Sequence, residues 1–199
     1  MRGARNLHLR RKLLDGVVIT GGEPLIHEDI IDQIRRIKDL GLAVKLDTNG
    51  LFPDKLQMLI DQRLIDHVAL DFKHERSAWL KTVGMLQETQ RLEQWYPLWE
   101  RSLLFLQQES ITYELRTTVV RQLHSSDGLL AMAKYLVSQR LDLSKVHWYL
   151  QSFRYHYPLL CDQQPDANYP KLSAYDPAEM RMIQARLQQY IPNVILREI

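Results

Sequence analysis

Short apolar runs alternate with amphipathic stretches along this chain, and that alternation restricts its fold more than any other feature. The stretch VVITGGEPL (17–25) opens the series. A run rich in β-branched residues stops at two adjacent glycines, the pattern of a buried strand (17–20) ending where the backbone must lie open to something. EDIIDQIRRIKDL follows, with Ile30, Ile34, Ile37 and either Ile31 or Leu40 on one helical face and Gly41 as the stop. AVKLD (43–47) reads as a strand, TNG as its exit turn, PDKLQMLIDQ (53–62) as a helix and HVALDFK (67–73) as a strand, which completes βαβαβ. Glu75–Gln108 is helix-compatible, rich in Trp and Leu, and insert-like. TYELRTTVV (112–120) is a fourth strand, SSDGLLAMAKYLVSQ (125–139) a capped helix and VHWYLQSF (146–153) a fifth strand. The polar, Pro-containing stretch Asp162–Tyr175 reads as a loop, and Asp176-Pro177-Ala178-Glu179 as a helix start. NVILREI closes the chain as a short strand or extended tail.

The expected fold class is therefore α/β, with parallel strands joined by right-handed crossovers in an open sheet or in a whole or partial barrel of the TIM kind. Both architectures place ligands at the carboxyl ends of the strands. Glu23 follows the first strand, Asp47 ends the second with Thr48, Asn49 and Gly50 after it, and Asp71 and Lys73 end the third. Arg116 lies within the fourth strand, and Gln151 and Arg154 end the fifth. Each also has a plainer reading. Asp47 to Gly50 make a turn that caps the next helix, Asp71 and Lys73 make an ion pair, Glu23 starts a helix, and Arg116 pairs a neighbouring carboxylate. These separate readings leave unexplained why successive strands all end in polar groups.

Composition narrows the class. With 199 residues, 45% hydrophobic and 25% charged, the chain supports one core and reads as a single domain over 13–199 behind a basic, flexible segment 1–12, MRGARNLHLRRK. A net charge of +2 gives no bias toward nucleic acid, and Trp79, Trp95, Trp99 and Trp148 have no interleaved basic patch that would make them a base-stacking platform. No apolar run is long enough for a membrane span or a secretory signal, so a cytoplasmic location is expected. His27, His67, His74, His124, His147 and His156 lack metal-ligand spacing, and the single cysteine, Cys161, supplies neither a disulfide nor the thiolates of a cluster.

GGEP after a strand, then LDTNGLFPDKLQMLI, DHVALDFKH and ELRTTVV, in this order over about residues 13–154, resembles the radical S-adenosylmethionine activating enzymes, in particular the anaerobic ribonucleoside-triphosphate reductase activating proteins. The resemblance implies a partial (βα) barrel in which the backbone of Gly21, Gly22 and Glu23, with Pro24 fixing the exit, meets the amino group of the methionine moiety. It makes Asp47, Thr48, Asn49, Asp71, Lys73 and Arg116 candidates for the same cofactor. Acceptors for the ammonium would come from strand-end carbonyls and Glu23, and donors for the carboxylate from Lys73 or Arg116. It further implies a [4Fe-4S] cluster, an electron donor such as flavodoxin or ferredoxin, and a 5′-deoxyadenosyl radical that abstracts hydrogen from a glycine of a partner glycyl-radical enzyme.

The family's CxxxCxxC motif, and the first barrel strand that precedes it, are missing from this chain, so a shortened or inactive form is expected. Two other readings stand beside this one. Glu23, Asp47 and Asp71 at three strand ends would suit a Mg²⁺-dependent barrel enzyme, with Lys73 as a base. Alternatively, the chain is a non-catalytic module that occupies the partner reductase.

Overall fold

The computed structural model describes residues 13–85, 87–108, 111–154 and 172–198. The basic segment 1–12, Cys161, His156 and the part of the expected loop over 162–171 lie outside the described residues. Six strands are described: β1 (Gly16–Ile19), β2 (Ala43–Thr48), β3 (His67–Asp71), β4 (Thr112–Val119), β5 (His147–Ser152) and β6 (Asn193–Arg197). They alternate with α1 (Ile30–Lys38), α2 (Pro53–Asp61), α3 (Arg76–Thr82), α4 (Thr89–Gln108), α5 (Ser126–Ser138) and α6 (Pro177–Gln188). The strands lie in chain order in one parallel sheet, the arrangement that strand–helix alternation predicts. Among the described residues no helix is long and apolar enough to cross a membrane.

The elements form where their sequences favour them. Helix α1 buries Ile30, Ile34 and Ile37, three of the residues read as its apolar face. Helix α6 begins with a full capping box between Asp176 and Glu179, with Pro177 at its first position. The terminal NVILREI, open between strand and tail in the sequence, pairs with β5 from His147↔Asn193 to Gln151↔Arg197. Strand β3 ends at Asp71, two residues earlier than expected, so Lys73 stands in the exit segment. The helix-compatible stretch 75–108 contains two helices with Gly84 between them.

Contacts divide the chain into two compact units, Met1–Asp71 with Glu88–Leu115 and Phe72–Gln87 with Arg116–Ile199. In the first, Leu25, Ile34, Val44, Leu46, Leu56 and Val68 pack with Tyr96 and Trp99 in a core closed to solvent. Helix α4 is pinned there by two side chains that reach backbone at strand exits. Trp99 Nε1 donates to the Asp71 carbonyl at 2.9 Å, and Ser102 Oγ donates to the Gly50 carbonyl at 2.7 Å. In the second unit the Phe72 ring lies 5.7 Å from Trp148 and 6.1 Å from Tyr135, with Leu129, Met132, Leu150 and Leu187 buried as well.

Gly50 shows how tightly the first core closes. Its φ is +79°, and an added Cβ would stand 2.6 Å from Leu70 Cδ1 and 2.9 Å from Trp99 Cδ1. A Gly50→Ala variant combines backbone strain with overpacking and is expected to lose about 2–4 kcal/mol, read as a lower urea midpoint at unchanged m-value.

Candidate functional site

The turn after β1 is built from Gly21, Gly22, Glu23 and Pro24, and each residue is there for a different reason. Gly21 has φ +142°, which L side chains rarely adopt, so the backbone itself demands glycine. Gly22 has no such φ, and a Cβ placed on it would meet no atom within 4 Å. The fold does not require a glycine there, and the space beside its backbone is free. Pro24 is buried at the first position of a 3-10 turn, Pro24–Ile26, and Leu25 is fully buried beneath it.

Glu23 joins this turn to the exit of β2. Its Oε1 accepts hydrogen bonds from the Leu25 amide at 3.1 Å and from Thr48 Oγ1 at 2.9 Å, while Oε2 accepts from the Asn49 amide at 2.6 Å. Burial raises the Glu23 pKa above the ordinary carboxyl range, the hydrogen bonds from Asn49, Leu25 and Thr48 pull it down, and the charge of Asp71 adds to the rise. Thr48 Oγ1 also accepts from the Gly50 amide at 3.1 Å, and Asn49 Oδ1 from the Leu51 amide at 2.9 Å, so both side chains are engaged in shaping the exit turn. From α2, Lys55 Nζ donates to the carbonyls of Leu25 at 2.8 Å and His27 at 2.9 Å. Glu23, Thr48 and Asn49 are thus brought together. Lys55 is a member that sequence reading missed, since a lysine in a first helical turn looks like any solvated cation.

A second set of charged groups includes Asp47. Lys45 Nζ is 3.9 Å from Asp47 Oδ1 and donates to Glu114 Oε1 at 2.8 Å, and His67 Nε2 lies 3.7 Å from Glu114 Oε2. Thr112 Oγ1 donates to the Asp66 carbonyl at 3.0 Å and so accepts from His67 Nδ1, 2.9 Å away. This charge layer across β2, β3 and β4 was also missed, although Lys45 and Asp47 sit two apart on one strand face. Among the described residues no three His, Cys, Asp or Glu side chains are placed to hold a metal. The carboxylate set Glu23, Asp47 and Asp71 required by the Mg²⁺ reading is therefore not assembled.

The remaining candidates lie in the second unit. Arg116 sits half-buried in β4, and its carbonyl accepts from the Phe72 amide at 2.9 Å. Lys73 lines a cavity of about 370 Å³ with Thr82, Val83, Thr117, Thr118, Val120, Leu123 and His124. His124 Nδ1 lies 3.2 Å from the Val120 amide and accepts from it, so Nε2 carries hydrogen and donates to the Lys73 carbonyl at 2.8 Å. Its ring stacks on His74 with centroids 5.6 Å apart. Burial holds the His124 pKa at about 4, assisted by the nearby His74 and Lys73 charges, and burial lowers His74 too. Gln151 and Arg154 both meet Glu198.

No protein-family model matches the chain. An inferred glycyl-radical enzyme activating enzyme, MJ1227 of Methanocaldococcus jannaschii, is 27% identical over 186 residues, which cover 93% of this chain and 71% of that protein. A GTP 3′,8-cyclase of Limosilactobacillus fermentum is 44% identical over 64 residues, only 19% of its length. Among solved structures, Streptococcus suis SuiB bound to S-adenosylmethionine matches with TM-score 0.66 at 15% identity, covering 98% of this chain and 42% of SuiB. Archaeal TYW1 matches with TM-score 0.58 at 15% identity, covering 94% of this chain and 59% of TYW1. The chain thus spans less than two thirds of these two structural neighbours, and they show its fold, parallel strands alternating with helices as in a partial barrel of the TIM kind.

Two outcomes follow, one from the hydrogen bonds of Glu23 and one from the burial of His124. Glu23→Gln places an NH₂ group against one of three donors and is expected to lose about 1–3 kcal/mol in urea unfolding. His124 titrates at 6.5 when unfolded and at about 4 when folded. Its contribution is therefore complete above pH 6.5 and is lost as pH falls through about 4. Stability should drop by at most about 3 kcal/mol over that window, and a His124→Asn variant should show a shallower fall in urea midpoint over the same range.

Proposed function

We propose that this chain binds S-adenosylmethionine at the Gly21–Gly22–Glu23 turn and serves the activation of a glycyl-radical enzyme, with an anaerobic ribonucleoside-triphosphate reductase as its partner. The observation that carries this reading is Gly22, whose missing side chain answers no need of the fold while the turn around it is fixed on both sides. Space beside a fixed backbone is what a ligand recognised through main-chain carbonyls requires. The relative named for glycyl-radical enzyme activation, and SuiB bound to its precursor peptide SuiA, support a protein or peptide as the partner acted upon.

The residues present fit the cofactor's methionine end. The turn offers carbonyls to an ammonium, and Glu23 and Asp71 add negative charge around it. Asp47, Thr48 and Asn49 belong to the second strand's share of the site, with Thr48 and Asn49 acting through the turn that they build. Lys73 and Arg116 are the donors proposed for the carboxylate on the strength of the motif. When bound, S-adenosylmethionine supplies a sulfonium and its 5′-deoxyadenosyl group. The chain's own part is to bind and orient it.

The [4Fe-4S] cluster does not fit these residues. Cys161 is the one cysteine of the sequence, and three thiolates are needed. The proposal therefore covers cofactor binding, and electron transfer from a flavodoxin or ferredoxin is not routed through the residues described.

Equilibrium dialysis of the full chain against labelled S-adenosylmethionine tests the reading. Binding is expected without any divalent ion. Gly22→Ala should weaken it about tenfold, or about 1.4 kcal/mol, while moving stability by less than about 0.5 kcal/mol. Gly21→Ala should instead lose about 1–2 kcal/mol of stability. Capture of a glycyl-radical enzyme with no affinity for the cofactor would favour the non-catalytic partner-binding module.

A further inference from the structure

The backbone bonds of the turn after Glu23 are long. The Ile26 amide donates to the Glu23 carbonyl at 3.3 Å and the His27 amide to the Pro24 carbonyl at 3.2 Å, at or beyond the end of the normal range. A three-residue 3-10 turn is weakly self-supporting, so its shape must be set from outside. One support is Glu23, which reaches to Thr48 and Asn49. The other is Lys55, whose ammonium spends two of its three donors on the Leu25 and His27 carbonyls.

We propose that Lys55 is a positioning residue for cofactor binding: by bridging these two carbonyls it fixes the Gly21–Gly22–Glu23 backbone in the conformation that S-adenosylmethionine meets. This rests on the function proposed above. Bonds from a charged donor are shorter and stronger than neutral ones, which suits a bridge holding two carbonyls of a turn that its own amides hold poorly. The anchorage of the helix that carries Lys55 is separate. Leu56, Leu59 and Ile60 bury its apolar face, and Pro53 is buried at its start. Loss of the ammonium therefore frees the turn while the helix keeps its packing. The supports are of opposite charge and act on opposite groups of one residue. Glu23 takes the Leu25 amide, and Lys55 takes the Leu25 carbonyl.

Lys55→Met keeps the length of the side chain and removes its donors, whereas Lys55→Arg can again bridge two carbonyls. Amide hydrogen exchange of the full chain should quicken at least tenfold at Ile26 and His27 in Lys55→Met, with the β2 and β3 amides unchanged. The dissociation constant for S-adenosylmethionine should rise about tenfold, and Lys55→Arg should restore both readouts to within about threefold. Lys55→Gln, which retains an N–H donor, carries the comparison if Lys55→Met fails to fold. Unchanged exchange at Ile26 and His27 would overturn the proposal, as would quickened exchange with cofactor affinity intact. Failure of the unaltered chain to bind S-adenosylmethionine would overturn the function proposed above and the cofactor-binding role of Lys55 with it, while the exchange measurement would still decide whether Lys55 sets the turn.

Discussion

The candidate site depends on one half-buried carboxylate, that of Glu23. The β1–β2 ladder runs from Gly16↔Ala43 to Ile19↔Leu46, and beyond Ile19 the first strand stops. Glu23 takes over at that point by accepting from Thr48 and Asn49, so a side chain continues the cross-connection after the backbone ladder has ended. A carboxylate is suited to the task because its two oxygens accept several donors at once, three in this case. Its burial would be costly without them, and its pKa is raised because burial, joined by the charge of Asp71, opposes the hydrogen bonds. The same group that closes the gap between the strand exits also caps the following 3-10 turn.

Helix α4 supplies a second layer of control over the same region. The stretch 75–108 had no role that could be read from its sequence. Its longer helix places Trp99 against the Asp71 carbonyl and Ser102 against the Gly50 carbonyl, so groups at the exits of β2 and β3 that could not be paired within the sheet are satisfied by side chains. Arg101 of the same helix pairs with Asp54 at the start of α2. Helix α4 is therefore a clamp on strand exits within the first unit.

Strand periodicity, capping residues and the glycine pair made the elements legible because each of those signals is local. Ile30, Ile34 and Ile37 declare a helix face, and Asp176 to Glu179 declare a helix start, whatever lies elsewhere in the chain. The turn residues Glu23, Thr48 and Asn49 were legible for the same reason, as punctuation after apolar runs. Lys55, Glu114, Trp99 and Ser102 were not. Their partners are 30, 69, 28 and 52 positions away, and no local pattern marks a side chain that matters through a distant backbone carbonyl or carboxylate. Phe72, just past the end of β3, likewise makes its contacts far along the chain. Phe72 continues the apolar pattern of the strand, yet its ring packs with Trp148 and Tyr135, and its amide goes to the Arg116 carbonyl.

The glycines of this region separate what the fold needs from what a ligand would need. Gly50 is dictated by packing and Gly21 by its φ, and either would be glycine in a protein that bound nothing. Gly22 alone among the three is free of both demands. The polar side chains point the same way from the other direction. Glu23, Thr48 and Asn49, read from sequence as groups facing a cofactor, hold one another and the neighbouring amides. What the arrangement leaves for recognition is main chain, held still by side chains. A site of this kind tolerates little change in conformation even where no side chain touches the ligand, because every donor that fixes the turn also sets the direction of its carbonyls.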